Sequence, residues 1–258
     1  MISGCQKPEC KTGSDCSSRP CTISSCQDSK CNYVLKRNCC GNHINETTED
    51  NKPGNKCTCP QDYGTCEGKG KIKVGSRTED AVYVHYYCSA ENKCIFGADP
   101  NDVTNLNFLD SVNDGFLKAS SIVKYNKPFD VNADSIELKV SLDDANKALV
   151  FPVKLTKVKL LFYGESSRAE QLIAEETLNS ALNSVGGEAN IKLLLNLNYR
   201  PQQLEESGTL RYSLDYTYTK QVVAGRASDG TALYNNELVR ATFTAPSKPV
   251  IFIRSGTD

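Results

Sequence analysis

The sequence is poor in the residues from which most catalytic and metal sites are built. It has two histidines, His43 and His85, one methionine and no tryptophan. Nucleophile–base pairs and zinc centres usually draw on histidine, and no G-x-S-x-G, H-E-x-x-H or phosphate-binding glycine loop occurs. We therefore predict a protein that is not an enzyme, with no catalytic residue, no resident metal and no cofactor. We expect His43 to be solvated in a polar loop and His85 to be a packed or edge residue of a strand.

Long apolar runs and a charge imbalance are also missing. No stretch reaches the roughly 18 apolar residues that a membrane-spanning helix needs, so we predict no membrane-spanning segment. The formal net charge is -1, with acids and bases interleaved, whereas nucleic-acid-binding proteins usually present a basic face. The sequence therefore predicts no nucleic-acid partner. The alternating Lys69, Lys71 and Lys73 are expected to be a solvated strand edge, with an anion-binding patch as the alternative.

Cysteine is concentrated at one end of the chain and absent after residue 94. No C-x2-C pair occurs, although structural zinc and iron–sulfur sites prefer that spacing. Residues 1–70 contain few large apolar side chains, so this segment cannot bury enough surface to offset its chain entropy. We predict that disulfides replace a core there, which implies an oxidising compartment and an extracellular or cell-surface location. The 13 predicted disulfide-forming residues are Cys5, Cys10, Cys16, Cys21, Cys26, Cys31, Cys39, Cys40, Cys57, Cys59, Cys66, Cys88 and Cys94.

An odd number of cysteines leaves one without an intrachain partner. That residue is either a free thiol or bonded to another molecule. The adjacent Cys39 and Cys40 are expected to bond to different partners. Cys88 and Cys94 flank a hairpin-like turn that can close on itself, and the sequence leaves the remaining connectivity open.

Two polar segments carry candidate sites. The pattern Asn45-Glu46-Thr47 is an N-glycosylation acceptor in a loop that we expect to be exposed. A weak possibility of Ca²⁺ binding arises because oxygen ligands in a loop suit this ion. The candidate ligands are two sets, which otherwise read as solvated loops: Glu46, Glu49 and Asp50, and Asp99, Asn101 and Asp102.

The cysteine spacing resembles that of a known class of proteins. A ladder of C-x4-C steps runs from Cys16 to Cys31, followed by the C-C-G-N stretch at residues 39–42 and C-T-C-P-x-D-Y-G-x-C from Cys57 to Cys66. Over residues 5–94 this resembles exported cysteine-rich surface proteins of archaea and bacteria. It departs at Ile44, where such modules often have a cysteine. The resemblance implies location and architecture and carries no known activity.

The pattern changes after the cysteine-rich segment. We predict a cysteine-rich domain over residues 1–98, a linker over 99–120 with a short helix at 105–119, and an Ig-like β-sandwich over 121–258. Apolar residues alternate with polar ones in about seven strand-like segments, as in a sandwich. Residues 169–185 fit a helix or a strand, and we favour the strand. The predicted fold class is all-β, a disulfide-rich N-terminal module followed by an Ig-like β-sandwich.

These features predict an extracellular structural or assembly protein, a subunit of a cell-surface filament or coat. Self-association by strand addition is expected, with residues 250–253 and the N-terminal segment as candidate donor strands. The alternative is a secreted adhesion or glycan-binding module in which Tyr212, Tyr216 and Tyr218 stack on sugar. Strict alternation of these tyrosines favours core filling instead. An exported enzyme is the third hypothesis.

Overall fold

The computed structural model describes residues 9–165, 169–195 and 199–254, and nearly all of its regular structure is strand. The one α-helix, α1, is a single turn at Pro60–Tyr63 in these residues, and short 3₁₀ helices lie at Gly13–Asp15 and Pro100–Asp102. The strands are β1 (Thr22–Gln27), β2 (Lys30–Leu35), β3 (Thr48–Glu49), β4 (Lys52–Pro53), β5 (Lys69–Val74), β6 (Arg77–Cys88), β7 (Cys94–Ala98), β8 (Thr104–Asn113), β9 (Leu117–Lys127), β10 (Phe129–Asp130), β11 (Ile136–Ala145), β12 (Leu149–Gly164), β13 (Gln171–Leu182), β14 (Glu188–Leu193), β15 (Glu205–Arg226), β16 (Ala232–Thr244) and β17 (Lys248–Ile253).

The described residues form two compact units. The first contains residues 9–68 and Tyr86–Phe96, and the second contains Lys69–His85 and residues 97–254. The sequence predicts a domain boundary at residue 98. The structure instead assigns β5 and most of β6 to the second unit, where the backbone N–H groups of Val82, Tyr83 and Val84 donate hydrogen bonds to Glu205.

The cysteine-rich unit is held by cystines rather than by an apolar core. Among its described residues, the buried hydrophobic side chains are Cys10, Cys16 and Cys59. The hairpin of β1 and β2 turns through Asp28 and Ser29, whose φ values of 50° and 62° match the left-handed positions of a two-residue hairpin turn. Helix α1 begins at Pro60, whose missing N–H is not needed in the first helical turn.

The second unit is a β-sandwich. One sheet has the strand order β14-β11-β9-β8, and the other has the order β10-β17-β15-β12-β13, with β16 also paired to β15. The described sandwich pairs are antiparallel except for β10 with β17. Buried and accessible residues alternate along β9 and β11, because one face of each strand points into the core. The predicted all-β sandwich is confirmed.

A single hydrophobic cluster joins the inner faces of both sheets. Within this cluster, the ring centroids of Phe162, Tyr199 and Phe252 lie 4.9 to 5.6 Å apart. Phe129 meets Phe252 edge-on at 5.6 Å. Aromatic pairs at such distances contribute beyond the area that they bury.

Two secondary-structure expectations have clear outcomes. The predicted helix at 105–119 is wrong, because β8 and the start of β9 occupy these residues and no linker runs through 99–120. Leu106, Phe108 and Val112 pack against the core at the two-residue period of a strand. The strand favoured within 169–185 is confirmed as β13, which pairs antiparallel with β12.

Candidate functional site

The twelve described cysteines form six disulfides within the cysteine-rich unit. Cys39 and Cys40 have different partners, as predicted. The predicted Cys88–Cys94 disulfide is wrong, because Cys88 bonds to Cys57 and Cys94 bonds to Cys66. These two bonds tie the β6–β7 turn to a preceding segment that has few apolar side chains of its own. The pairs are Cys10–Cys26, Cys16–Cys31, Cys21–Cys39, Cys40–Cys59, Cys57–Cys88 and Cys66–Cys94.

The odd cysteine is Cys5, which lies outside the described residues, since the other twelve are bonded to each other. The sulfurs of Cys10, Cys16 and Cys31 lie within 4.8 Å of one another, but each is part of a disulfide and so is not a thiolate ligand. Six disulfides in one small unit indicate that the protein folds in an oxidising environment.

The first candidate calcium segment has its carboxylates engaged in local hydrogen bonds. Glu46 accepts from the backbone N–H of Asn38 and from the Asn42 side-chain amide. Glu49 is buried; one of its oxygens accepts from the Glu46 N–H at 3.2 Å, and the other has no hydrogen-bond partner among the described residues. Asp50 is exposed. Within the described residues these three carboxylates do not meet as a ligand cluster.

The second candidate segment also forms local contacts. Asp99 accepts from the Asn101 N–H at 2.9 Å and caps the 3₁₀ helix Pro100–Asp102. Asp102 lies 3.8 Å from Nε2 of His85, which is a partly buried residue of β6. His43 is exposed, with its backbone N–H donating to Asp62 at 2.7 Å.

Two exposed polar features occupy the positions expected from the sequence. Asn45 is exposed and lies outside the strands and helices, as an N-glycosylation acceptor requires. Lys71 forms an ion pair with Asp80 across β5 and β6, and both side chains are more than half exposed. This geometry is that of a solvated strand edge.

The tyrosines of β15 fill the sandwich core. Tyr212, Tyr216 and Tyr218 are buried, so their rings do not offer a stacking face for sugars. The Tyr212 hydroxyl donates to Asp110, and the hydroxyls of Tyr216 and Tyr218 donate to Asp114. Burial, with the nearby Asp114 carboxylate as a second cause, raises the pKa of Tyr218 to about 12 and that of Tyr216 further.

Strand β17 is integrated into the sheet of its own chain. Val250, Phe252 and Ile253 are 1%, 0% and 2% exposed, and β17 pairs with β15 on one side and with β10 on the other. The expectation that residues 250–253 are a free donor strand is therefore wrong. The other candidate donor, the N-terminal segment, falls largely in residues 1–8, which lie outside the described residues.

The ends of β15 and β16 extend as a two-stranded ribbon, residues 220–238, in which no residue is buried. Val223 and Tyr234 are directly opposite each other and are 63% and 58% exposed. Leu238, 60% exposed, is four residues from Tyr234 on the same strand and so lies on the same face. Within the described residues β16 pairs with β15 alone, which leaves its second edge open.

The turn of the ribbon is well defined. The Ala227 N–H donates to the Thr231 carbonyl at 2.8 Å, and the Gly230 N–H donates to the Ala227 carbonyl at 2.9 Å. Asp229 accepts from the Thr231 N–H at 2.9 Å. The ribbon therefore presents its apolar face on a hydrogen-bonded scaffold.

The sandwich also contains a buried ion pair that the sequence analysis missed. Nζ of Lys248 lies 2.8 Å from Oδ1 of Asp110, and these side chains are 8% and 5% exposed. The alternation of residues along β8 and β17 could have revealed this pair, because it places both charged residues on the apolar faces of their strands. Asp110 falls on the face of β8 that carries Leu106 and Phe108, and Lys248 shares a face of β17 with Val250 and Phe252.

Within the described residues, no helix has the length and apolar character required to span a bilayer. No protein-family model matches the chain, and no curated protein matches it. Among solved structures, the chain is similar to a variant of superoxide reductase (neelaredoxin) from Archaeoglobus fulgidus in the reduced form. The identity is 11% and the TM-score is 0.19, over 55% of this chain and 93% of that chain.

Proposed function

We propose that this chain is an extracellular structural protein that assembles with copies of itself, as a subunit of a cell-surface filament or coat, and that it is not an enzyme. The observation that carries the proposal is the ribbon of residues 220–238. It has an apolar face exposed around Val223, Tyr234 and Leu238, and one strand edge without a partner among the described residues.

A ribbon of this kind gains stability from a partner. Two-stranded hairpins are marginally stable alone in water, and burying a side chain the size of Val or Leu contributes about 1.5–3 kcal/mol. A neighbouring strand added at the edge of β16 also satisfies backbone groups that otherwise bond only to water. We assign a second copy as the partner because the net charge of -1 gives little long-range repulsion between copies.

The extracellular location is supported by the cysteine-rich unit. Its six disulfides persist in an oxidising compartment and replace the apolar core that the unit lacks. The exposed Asn45 provides an acceptor for an N-linked glycan. Peptide mass spectrometry of material from the native source tests this modification, and unmodified Asn45 throughout would remove the glycan from the proposal.

The assembly test uses the full chain and a paired substitution in the ribbon. Val223→Lys with Tyr234→Glu removes the apolar face but keeps a cross-strand pair of opposite charge, so that the hairpin register is retained. The matched control is Leu109→Asp, which changes a 72%-exposed leucine on β8, outside the ribbon.

Sedimentation velocity over a range of concentrations, followed by electron microscopy, gives the result. We expect the wild type and Leu109→Asp to form ordered assemblies and the ribbon variant to remain monomeric. A wild-type chain that stays monomeric at every concentration refutes the assembly function. Assembly that persists in the ribbon variant refutes the ribbon as the contact.

A further inference from the structure

The buried pair of Asp110 and Lys248 joins the two sheets of the sandwich. Asp110 lies on β8 in the four-stranded sheet, and Lys248 is the first residue of β17 in the six-stranded sheet. The two residues are 138 positions apart in the sequence, and Nζ lies 2.8 Å from Oδ1. The pair therefore connects the first and the last strands of the sandwich.

Neighbouring groups hold the side chains of Asp110 and Lys248 in place. The Tyr212 hydroxyl donates to the second carboxylate oxygen, Oδ2 of Asp110, at 2.9 Å. Ser121 Oγ lies 2.6 Å from the same hydroxyl. Nζ of Lys248 also donates to the Pro246 carbonyl at 3.2 Å. Each oxygen of the carboxylate thus has a named partner, and Lys248 is restrained on two sides.

A buried ion pair joins two sheets at a high cost in desolvation free energy. Removing two charges from water carries a large desolvation cost, which can exceed the gain from their mutual attraction. The centroid of Phe108 is 5.4 Å from Nζ, within the range of a cation–π contact, which offsets part of this cost. A reaction that turns both charges into one neutral amide removes this cost.

We propose that Lys248 and Asp110 condense to an intramolecular isopeptide bond between Nζ and Cγ. The ammonium group first transfers one proton to the carboxylate, which gives a neutral amine and a carboxylic acid. The amine then attacks Cγ, the Nζ–Cγ bond forms and one Cγ–O bond breaks. Of the three protons initially on Nζ, one remains on the amide and two leave in a molecule of water. The balance needs no oxidant, reductant or further reactant.

Tyr212 is the group placed to stabilise the oxygen that stays on Cγ. Its hydroxyl donates to Oδ2, and it keeps its proton because burial raises its pKa, with the Asp110 charge as a further cause. The hydroxyl stabilises the negative charge that develops on Oδ2 when Nζ attacks Cγ, with Ser121 as its hydrogen-bonded support. Oδ1, which accepted the first proton from Nζ, takes a second proton from the attacking nitrogen and leaves as water, and Oδ2 becomes the amide oxygen. The site also excludes water, since Ser121 and Tyr212 are 4% and 2% exposed, which opposes hydrolysis of the amide.

The fold holds the Lys248 amine and the Asp110 carboxyl group in contact before they react. Groups held in contact by a rigid fold react as if present at effective concentrations of roughly 10⁵–10⁸ M. Here the fold supplies both partners from opposite sheets without any external enzyme.

The first measurement is the intact mass of the full-length chain with its cysteines reduced and alkylated. We expect the wild type to be one water lighter than its sequence and to yield a branched peptide that links Asp110 to Lys248. Lys248→Arg keeps the positive charge and removes the nucleophilic amine, so it is expected to have the full mass. A folded wild type at its full sequence mass, or a missing water in Lys248→Arg, overturns the proposal.

The role of Tyr212 has its own variant and control. Tyr212→Phe keeps the buried ring and removes the hydroxyl, and we expect condensation to slow by roughly 10²-fold or more. Tyr216→Phe removes a comparable core hydroxyl that bonds to Asp114 instead, and we expect it to condense like the wild type. Circular dichroism confirms folding of both variants. Equal rates for Tyr212→Phe and the wild type overturn the assignment of Tyr212.

Discussion

Glu205 and Val84 are 121 residues apart in the sequence and are joined by a hydrogen bond of 2.6 Å from the Val84 N–H to Oε1 of Glu205. The N–H groups of Val82 and Tyr83 donate to the same carboxylate, which is 5% exposed. One buried side chain at the start of β15 therefore fastens β6 to the sandwich. Charge-assisted hydrogen bonds of this kind are stronger than neutral ones.

We predict that Glu205→Gln lowers the free energy of unfolding of the second unit by about 1–3 kcal/mol. The amide NH₂ of glutamine cannot accept a hydrogen bond, so at least one of the three N–H groups loses its acceptor in a buried site. Urea denaturation followed by fluorescence measures the loss. Glu237→Gln is the control, since Glu237 is 59% exposed in an ion pair with Lys220, and its effect is expected to stay within about 0.5 kcal/mol. Equal denaturation midpoints for the two variants would contradict the prediction.

Two glycines of β15 give a matched pair for a second prediction. A Cβ added at Gly208 would come within 2.5 Å of Cε2 in the Phe162 ring and closer still to the Tyr163 carbonyl oxygen. A Cβ at Gly225, in the ribbon, meets nothing within 4 Å. Gly208→Ala is therefore expected to lower the free energy of unfolding by about 1–3 kcal/mol, because the core is overpacked.

Gly225→Ala is expected to leave stability unchanged or to raise it by up to about 1 kcal/mol, because alanine restricts the unfolded chain more than glycine does. Thermal denaturation of the two variants beside the wild type measures both effects. A Gly208→Ala protein as stable as Gly225→Ala would show that Phe162 moves aside at no cost.

Part of this fold is readable in the sequence because its physical cause is local. The alternation of Ile136, Leu138 and Val140 with polar residues predicts β11, since a strand with one buried face must repeat every two residues. The scarcity of apolar residues around the cysteines also predicts a disulfide framework, because a segment without an apolar core needs covalent cross-links to fold. Cys59 is fully buried. In β8 the exposed Leu109 and the buried Asp110 obscure the two-residue period.

The remainder depends on distant contacts that a single sequence does not contain. Val223 and Tyr234 have side chains typical of core strands, and their exposure follows only from the absence of covering strands among the described residues. The sequence also does not predict the partners of Cys88 and Cys94. These partners, Cys57 and Cys66, lie in a preceding segment rather than across the adjacent turn. Disulfide connectivity is a property of the folded chain and not of spacing.

A third prediction concerns selective unfolding by a reductant. Disulfides contribute on the order of 2–4 kcal/mol each, and the cysteine-rich unit has no other buried hydrophobic side chains among its described residues. Reduction is expected to open this unit while the cysteine-free sandwich stays folded. Limited trypsin digestion then yields cuts after Lys30, Lys36 and Lys56, with β11 to β17 still protected. The oxidised protein is the control, and identical digestion patterns before and after reduction would contradict the role given to the disulfides.

The last prediction follows from five sandwich tyrosines whose pKa values are raised, with burial as the largest cause. They are Tyr125, Tyr199, Tyr212, Tyr216 and Tyr218. In the unfolded chain a tyrosine ionises near its ordinary pKa of 10.0. Above that pH the unfolded state has fewer bound protons than the folded state at these positions. Stability is therefore fully present below pH 10 and is lost as pH rises toward the folded-state values, which begin at about 12 for Tyr218.

Absorbance of tyrosinate, recorded on the oxidised protein with and without denaturant, measures this shielding. At about pH 11 all 12 tyrosines of the denatured chain are mostly ionised, and the native protein is expected to show at least five fewer. The missing absorbance should return together with the loss of the β-sheet circular dichroism signal, since ionising these rings requires opening the core. Because Tyr212 also contacts Asp110, its ionisation and the breaking of that buried network are one event. Superimposable titrations of the native and denatured protein, recorded while the sheet signal is intact, would show that the five hydroxyls reach water in the folded state.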